Sequence, residues 1–415
     1  MFAAANIGAT FLFQWYIITE LGAGAETDAL FAGMALPQLV LSVVSLSLTQ
    51  VLVPILAGES AEQFRSDLWG FLALVGGLFL VLASLFYVTA GLWVPVLVPG
   101  FAAEVQDLTV ELTRIQLIGM VFAALNGVQV AAYHARQQFY WPELTPLVTA
   151  VVVFAVLLWA LPKYGVEAAA WLATMRLVMQ TGLLSINLGT PVRVNLRSYA
   201  SLEAWKRIKP LLLGATYYKS DPLLERFLLS TASSGTLSIY YLAQQIFSAA
   251  NQVLSKAMIA PLVPALSHLY KTGDVEEFRR LCRRKLAHIG VLCLMGAAIF
   301  AVFGEPLLAL VLSYGRITVS DVSMLWWVLC CLGGAFVAGL AGQVLSSIFY
   351  IAGDTSTPTR MSVLTFTICI PVKIFSYIQF GVTGLAIVTS VHLVVNGAIM
   401  ATLLRCKLSD HRELL

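Results

Sequence analysis

Residues 68–92 read LWGFLALVGGLFLVLASLFYVTAGL, twenty-five positions without one charged side chain. A helix of about 20 mostly apolar residues is long enough to cross the hydrocarbon of a bilayer. This stretch is one of twelve. The others run over about 2–19, 29–56, 108–133, 144–161, 165–187, 210–230, 238–266, 286–304, 322–349, 358–378 and 382–404. Composition agrees with them. Of 415 residues, 59% are hydrophobic and 11% charged, against roughly 45–50% and about 25% in soluble domains. A mean hydropathy of +0.85 leaves apolar surface that only lipid can cover. The expected class is an all-α polytopic membrane protein.

The charges orient the spans. Seventeen of the 25 Lys and Arg lie in one alternate set of connections and the C-terminal tail, and the other set carries only Lys163 and Arg316. Basic connections stay on the cytoplasmic side, so both termini are expected in the cytoplasm. The six cysteines, Cys282, Cys293, Cys330, Cys331, Cys369 and Cys406, show no metal-ligand spacing and read as small buried hydrophobes.

The chain also repeats itself. LVPILAGESAEQFR, residues 52–65, returns as LVPALSHLYKTGDVEEFR at 262–279, with Pro54 on Pro264 and Phe64 on Phe278. Pro142 matches Pro358, and Gly165-Val166 matches Gly381-Val382. Two six-helix lobes are expected, residues 1–188 and 210–405. An even number of spans per copy relates them by an axis along the membrane normal. Residues 189–209 carry Arg193, Arg197, Lys206, Arg207 and Lys209. They read as a basic amphipathic linker on the cytoplasmic leaflet, a hinge between lobes or a tether to anionic headgroups. Residues 406–415 form a cytoplasmic tail.

Ionisable groups inside spans are costly and point to function. Residues 210–230, PLLLGATYYKSDPLLERFLLS, hold Lys219, Asp221, Glu225 and Arg226 around Pro222. These four charges fit either a site for an anionic headgroup or coupling cation, or an internally paired structural cluster. Asn126 and Gln129, three apart in the fourth span, would line a path or bridge helices. The repeat sets His392 opposite Arg176, and Lys256 and Lys373 are further inward candidates. Asp28 begins the second span, where the helix dipole alone favours an acid. No Walker A, HExxH or GxSxG motif occurs, so the chain is read as no enzyme, and nothing in it suggests nucleic-acid binding.

GAGAETDALFAGMALPQLV (22–40) with LVPIL (52–56) resembles the opening of the MurJ/MviN-type lipid II flippases, within the multidrug/oligosaccharidyl-lipid/polysaccharide exporter superfamily. PLLLGATYYKSDPLLERFLL followed by GTLSIYYLAQQIF (235–247) and FYIAGDTSTPTR (349–360) resemble later parts of the same family. The resemblance implies two lobes around a central cavity, alternating access, and a polyprenyl-diphosphate-linked saccharide as substrate. In a flippase reading Lys219, Arg226 and Arg176 would hold the diphosphate, and Asn126, Gln129 and His392 are further substrate-binding candidates. Asp221, Glu225 and Asp28 become coupling-ion or structural acids, driven by H+, Na+ or membrane potential without a cofactor. The arginines that the family carries in its first two helices are replaced here by Phe13, Thr19, Leu41 and Ser42. A cation antiporter of the same superfamily and a scaffold for envelope-synthesis enzymes are the other readings. Either way the expected setting is a bacterial inner membrane, with the chain as a monomer.

The orientation is directly measurable. Single cysteines at positions 206 and 283 should label only from the cytoplasmic side, and at 235 and 317 only from outside. Outside labelling at 206 or 283 would reverse the topology.

Overall fold

The structure is a computed structural model. It describes residues 2–57, 60–190, 192, 216–259, 261–354 and 356–409. Nearly all of the expected 189–209 linker and the end of the tail lie outside them. Among the described residues the chain is helical throughout, with no strand.

The first helices are α1 (Phe2–Leu21), α2 (Ala25–Gly33), α3 (Ala35–Leu56), α4 (Ala61–Leu97), α5 (Ala103–Ala135) and α6 (Tyr140–Ser185). Then come α7 (Asp221–Leu229) and α8 (Thr236–Leu254), a π-helical turn (Ser255–Ile259), α9 (Leu262–Thr272) and α10 (Val275–Leu312). The last are α11 (Val319–Cys331), α12 (Gly333–Ile351) and α13 (Ser356–Ser409).

Two of these helices are too long for one crossing. At 1.5 Å per residue, the 46 residues of α6 and the 54 of α13 would run about 70 and 80 Å, against a hydrocarbon core of about 30 Å. Each breaks at a glycine, Gly165 at φ 59°, ψ −147° and Gly381 at φ 58°, ψ −141°. The arms then fold back. Trp141 Nε1 donates to Leu183 O across α6 at 3.1 Å, and His392 Nε2 lies 3.2 Å from Thr365 Oγ1 across α13. The paired spans 5/6 and 11/12 of the sequence are these two hairpins. Their near-identical breaks, 216 residues apart, match the repeat.

Contacts divide the chain into two compact units, Met1–Ser238 and Ile239–Leu415. In the first, Leu52, Phe64, Leu68 and Tyr133 pack in one buried cluster. Arg136 stacks over Phe64 with its guanidinium carbon 3.9 Å from the ring centroid. α7 packs in this unit, where Ser230, at its end, receives the Gly100 N–H on its hydroxyl at 3.3 Å. The second unit is built around Leu262, Phe278, Cys282 and Cys293. Phe64 and Phe278, paired by the repeat, are each 4% exposed. Cys282, Cys293 and Cys369 are buried and unbridged, small hydrophobes in apolar cores.

The outer faces are apolar. Val81, Val88, Leu92 and Val96 on α4 and Val302, Phe303 and Leu310 on α10 stand more than half exposed. Patches of this kind belong in lipid. Seven described helices, α6 and α13 among them, are long and apolar enough to span.

The backbone at Gly165 and Gly381 lies in a region open essentially to glycine alone. Gly165→Ala and Gly381→Ala should each cost about 1–3 kcal/mol, seen as a lowered unfolding midpoint in detergent. Alanine at Gly77, inside α4 with open space around it, should be tolerated.

Candidate functional site

Asp28 shows how the fold handles a buried charge. α2 places the carboxylate at 2% residue exposure. Its Oδ2 accepts from Gly235 N at 2.6 Å, and its Oδ1 accepts from Ser238 N at 2.7 Å and Ser238 Oγ at 2.5 Å. The sequence explained this acid by the start of its own helix. The structure shows it also caps another helix: these donors open α8, whose first amides have no partner within the helix. The negative charge meets the positive end of the α8 dipole.

The chain between Thr216 and Leu229 carries the four charges expected of the seventh span. Thr216–Lys219 is helical, Ser220 is a turn, and α7 restarts at Asp221 with Pro222 in its first turn. Proline lacks the N–H that a helix start leaves unused and is at home there. Asp221 in the first turn and Arg226 in the last each complement the dipole. Glu225 and Arg226 are each 2% exposed, and Lys219 and Asp221 are half-buried. None of the four is fully exposed.

Lys219 Nζ donates to the carbonyl of Ser42 on α3. Ser42 is one of the positions at which the resemblance implies arginine.

The other candidates fall into two seams. Arg176, on the second arm of α6, donates to Thr10 Oγ1 at 3.1 Å and Asn6 Oδ1 at 2.9 Å on α1. Asn126 donates to Leu177 O at 3.3 Å and accepts from Thr181 Oγ1 at 2.8 Å. Gln129 donates to Thr181 O at 3.2 Å and Ser185 Oγ at 2.9 Å. These amides tie α5 to α6, which is the helix-bridging role of the two left open by the sequence. In the second unit, His392 bonds Thr365, and Lys373 is fully buried. Arg176 and His392 share a repeat position while meeting different partners. Among the described residues no three metal-ligating side chains converge.

Sequence reasoning missed Ser238 and Gly235, whose partner lies some 210 positions away. It missed the π-helical turn too, although Pro261 signals it: proline cannot donate to the carbonyl of Ala257, and the helix widens just before it.

Spans held by internal polar seams, apolar rims, and buried charges define a polytopic membrane protein. The family model described as lipid II flippase MurJ matches residues 17–414. The chain belongs to that family. A probable lipid II flippase MurJ of Buchnera aphidicola subsp. Acyrthosiphon pisum is 22% identical over 394 residues, covering 92% of this chain and 77% of that protein. One from Vibrio cholerae is 22% identical over 409 residues, covering 92% and 76%. Among solved structures, lipid II flippase MurJ in an inward closed conformation superposes with a TM-score of 0.84 at 16% identity, covering 97% of this chain and 87% of that one. An inward-facing multidrug resistance MATE family transporter superposes at 0.79 and 16% identity, covering 99% and 95%.

Removing the Asp28 cap should free the start of α8. Asp28→Ala should cost about 1–3 kcal/mol, the range for buried donors left unmet. Amide exchange at Gly235 and Ser238 should accelerate. Exchange at wild-type rates would mean the cap holds nothing.

Proposed function

We propose that this chain is a flippase that carries a polyprenyl-diphosphate-linked saccharide, lipid II or another envelope glycan precursor, across a bacterial inner membrane. The observation that carries the reading is the family match over residues 17–414. In this reading Lys219 and Arg226 hold the diphosphate, as a point charge and a fork for phosphate oxygens. Arg176, set by Asn6 and Thr10, adds a third positive group. Asn126 and Gln129 serve by tying α5 to α6, the helix that carries Arg176.

Access alternates, with the site opening to one side of the membrane and then the other. Asp221 and Glu225 sense the membrane potential or a coupling cation. Both termini lie in the cytoplasm, and the chain works as a monomer beside envelope-synthesis enzymes.

The fold it shares with a multidrug transporter favours a second reading, a cation antiporter in which Asp221 and Glu225 bind the substrate. Lys219→Ala separates the two. A flippase loses glycolipid binding, whereas an antiporter keeps its cation efflux.

Glu225→Gln keeps side-chain size and hydrogen bonding while removing charge. Transport per folded molecule in proteoliposomes should fall about tenfold, the scale of a coupling interaction, with expression unchanged. Unchanged turnover with a lowered unfolding midpoint would make Glu225 structural and take α7 out of the mechanism.

A further inference from the structure

The two copies of the repeat differ in how tightly they are filled. In the first unit Phe79 and Leu117 pack in one buried cluster between α4 and α5. Leu125 Cδ2 stands 3.1 Å from where a Cβ on Gly76 would lie. The repeat lays α10 on α4 and α12 on α5. At the offsets that pair Phe64 with Phe278 and Pro142 with Pro358, Phe79 becomes Cys293, Leu117 becomes Gly333, Leu125 becomes Ala341 and Gly76 becomes Gly290. A Cβ on Gly290 would meet nothing within 4 Å. Where the first copy holds side chains, the second holds an apolar trench of about 690 Å³. Leu286 and Leu294 on α10, Gly333 and Ala341 on α12, and Gly397 and Ala401 on α13 are among its walls, and no Asp, Glu, Lys or Arg lines it.

We propose that this trench binds one acyl chain of an anionic phospholipid, whose phosphate rests on Arg279, Arg283 and Arg405. The inference lies wholly within the second unit and stands apart from the flippase reading.

Three observations support it. First, positive charge gathers at one end of the trench. At about 100° per residue, Arg279 and Arg283 continue the face of α10 that carries Leu286 and Leu294. Arg405 continues the face of α13 that carries Gly397 and Ala401. Arg283 and Arg405 are exposed, each about one turn past the last lining residue of its wall. Second, the depth suits one leaflet. From Leu286 to Ala298, both in the lining, α10 rises about 18 Å, a little over half of a hydrocarbon core of about 30 Å. A spanning helix of a partner would need the full depth. Third, Arg279 has donors to spare. Its counterpart Arg65 gives Nη2 to Thr190 O at 2.9 Å and to Thr190 Oγ1 at 2.6 Å, where the chain turns at Gly189 with φ 83°. Arg405 stands at the repeat position of Gly189, and α13 runs on as helix to Ser409. Arg279 Nε and Nη2, the edge that grips two phosphate oxygens, are buried and have no hydrogen-bond partner. Buried donors left unmet are costly.

The test uses the delipidated full chain in detergent, with dioleoyl phosphatidylglycerol, dioleoyl phosphatidylcholine or inorganic phosphate added. Phosphatidylglycerol should raise the unfolding midpoint by about 3–5 °C and phosphatidylcholine by less than half of that. Ala341→Leu, which restores the leucine of the first copy, should remove the response to phosphatidylglycerol without lowering the lipid-free midpoint. Arg283→Gln with Arg405→Gln should weaken phosphatidylglycerol about tenfold and leave phosphatidylcholine unchanged. Both arginines are exposed, so this variant reads the proposal even where Ala341→Leu fails to fold. An equal response to the two lipids, or to inorganic phosphate alone, would overturn the site, as would a wild-type response in Ala341→Leu. A dimer of the delipidated chain that Ala341→Leu disperses would put a second copy in the trench and overturn it too.

Discussion

Hydrocarbon offers a polar group nothing to bond, and this one constraint explains where the chain is regular and where it is not. Each break in a helix frees backbone groups, and a side chain from elsewhere meets them. The break at Met34 turns its amide to Ala32 O, and the carbonyl of Leu30 is taken by Gln116 Nε2 at 3.2 Å. The break at Leu332 is met by Ser390, whose Oγ donates to Cys331 O at 2.5 Å and accepts from Ala335 N at 3.0 Å. Asp28 does the same for the first amides of α8, with a full charge in place of a dipole.

The same constraint decides what could be seen in the sequence. Apolar length shows directly in residue order, so the spans and the two hairpins were legible, with Gly165 and Gly381 as their joints. The repeat was legible because Phe64 and Phe278 keep one core position in each copy. Polar partnerships are fixed by packing, and residue order does not carry them. Asn126 gave no sign that Thr181 would be its partner, and Asp28 read as a helix start because Ser238 lies 210 residues on.

Lys219 shows how a lysine on one segment can set its charge beside the backbone of a distant helix. Positions that resemble arginine sites in the first two helices hold Phe13, Thr19, Leu41 and Ser42. Yet the Lys219 ammonium rests on the Ser42 carbonyl, brought there by the segment that leads into α7.

The two glycine-jointed hairpins bear on how the protein is made. Between the arms of α6 there is no loop for the insertion machinery to act on. Gly165 is a single joint, and Lys163 beside it is held over the Trp159 ring at 4.2 Å. The arms therefore form one closed pin, and the same holds for α13 at Gly381. Such a pin returns the chain to the side from which it entered, so it adds two crossings and leaves the orientation of everything downstream untouched. Loss of one arm would turn the remainder of the chain inside out, whereas loss of a whole pin would not.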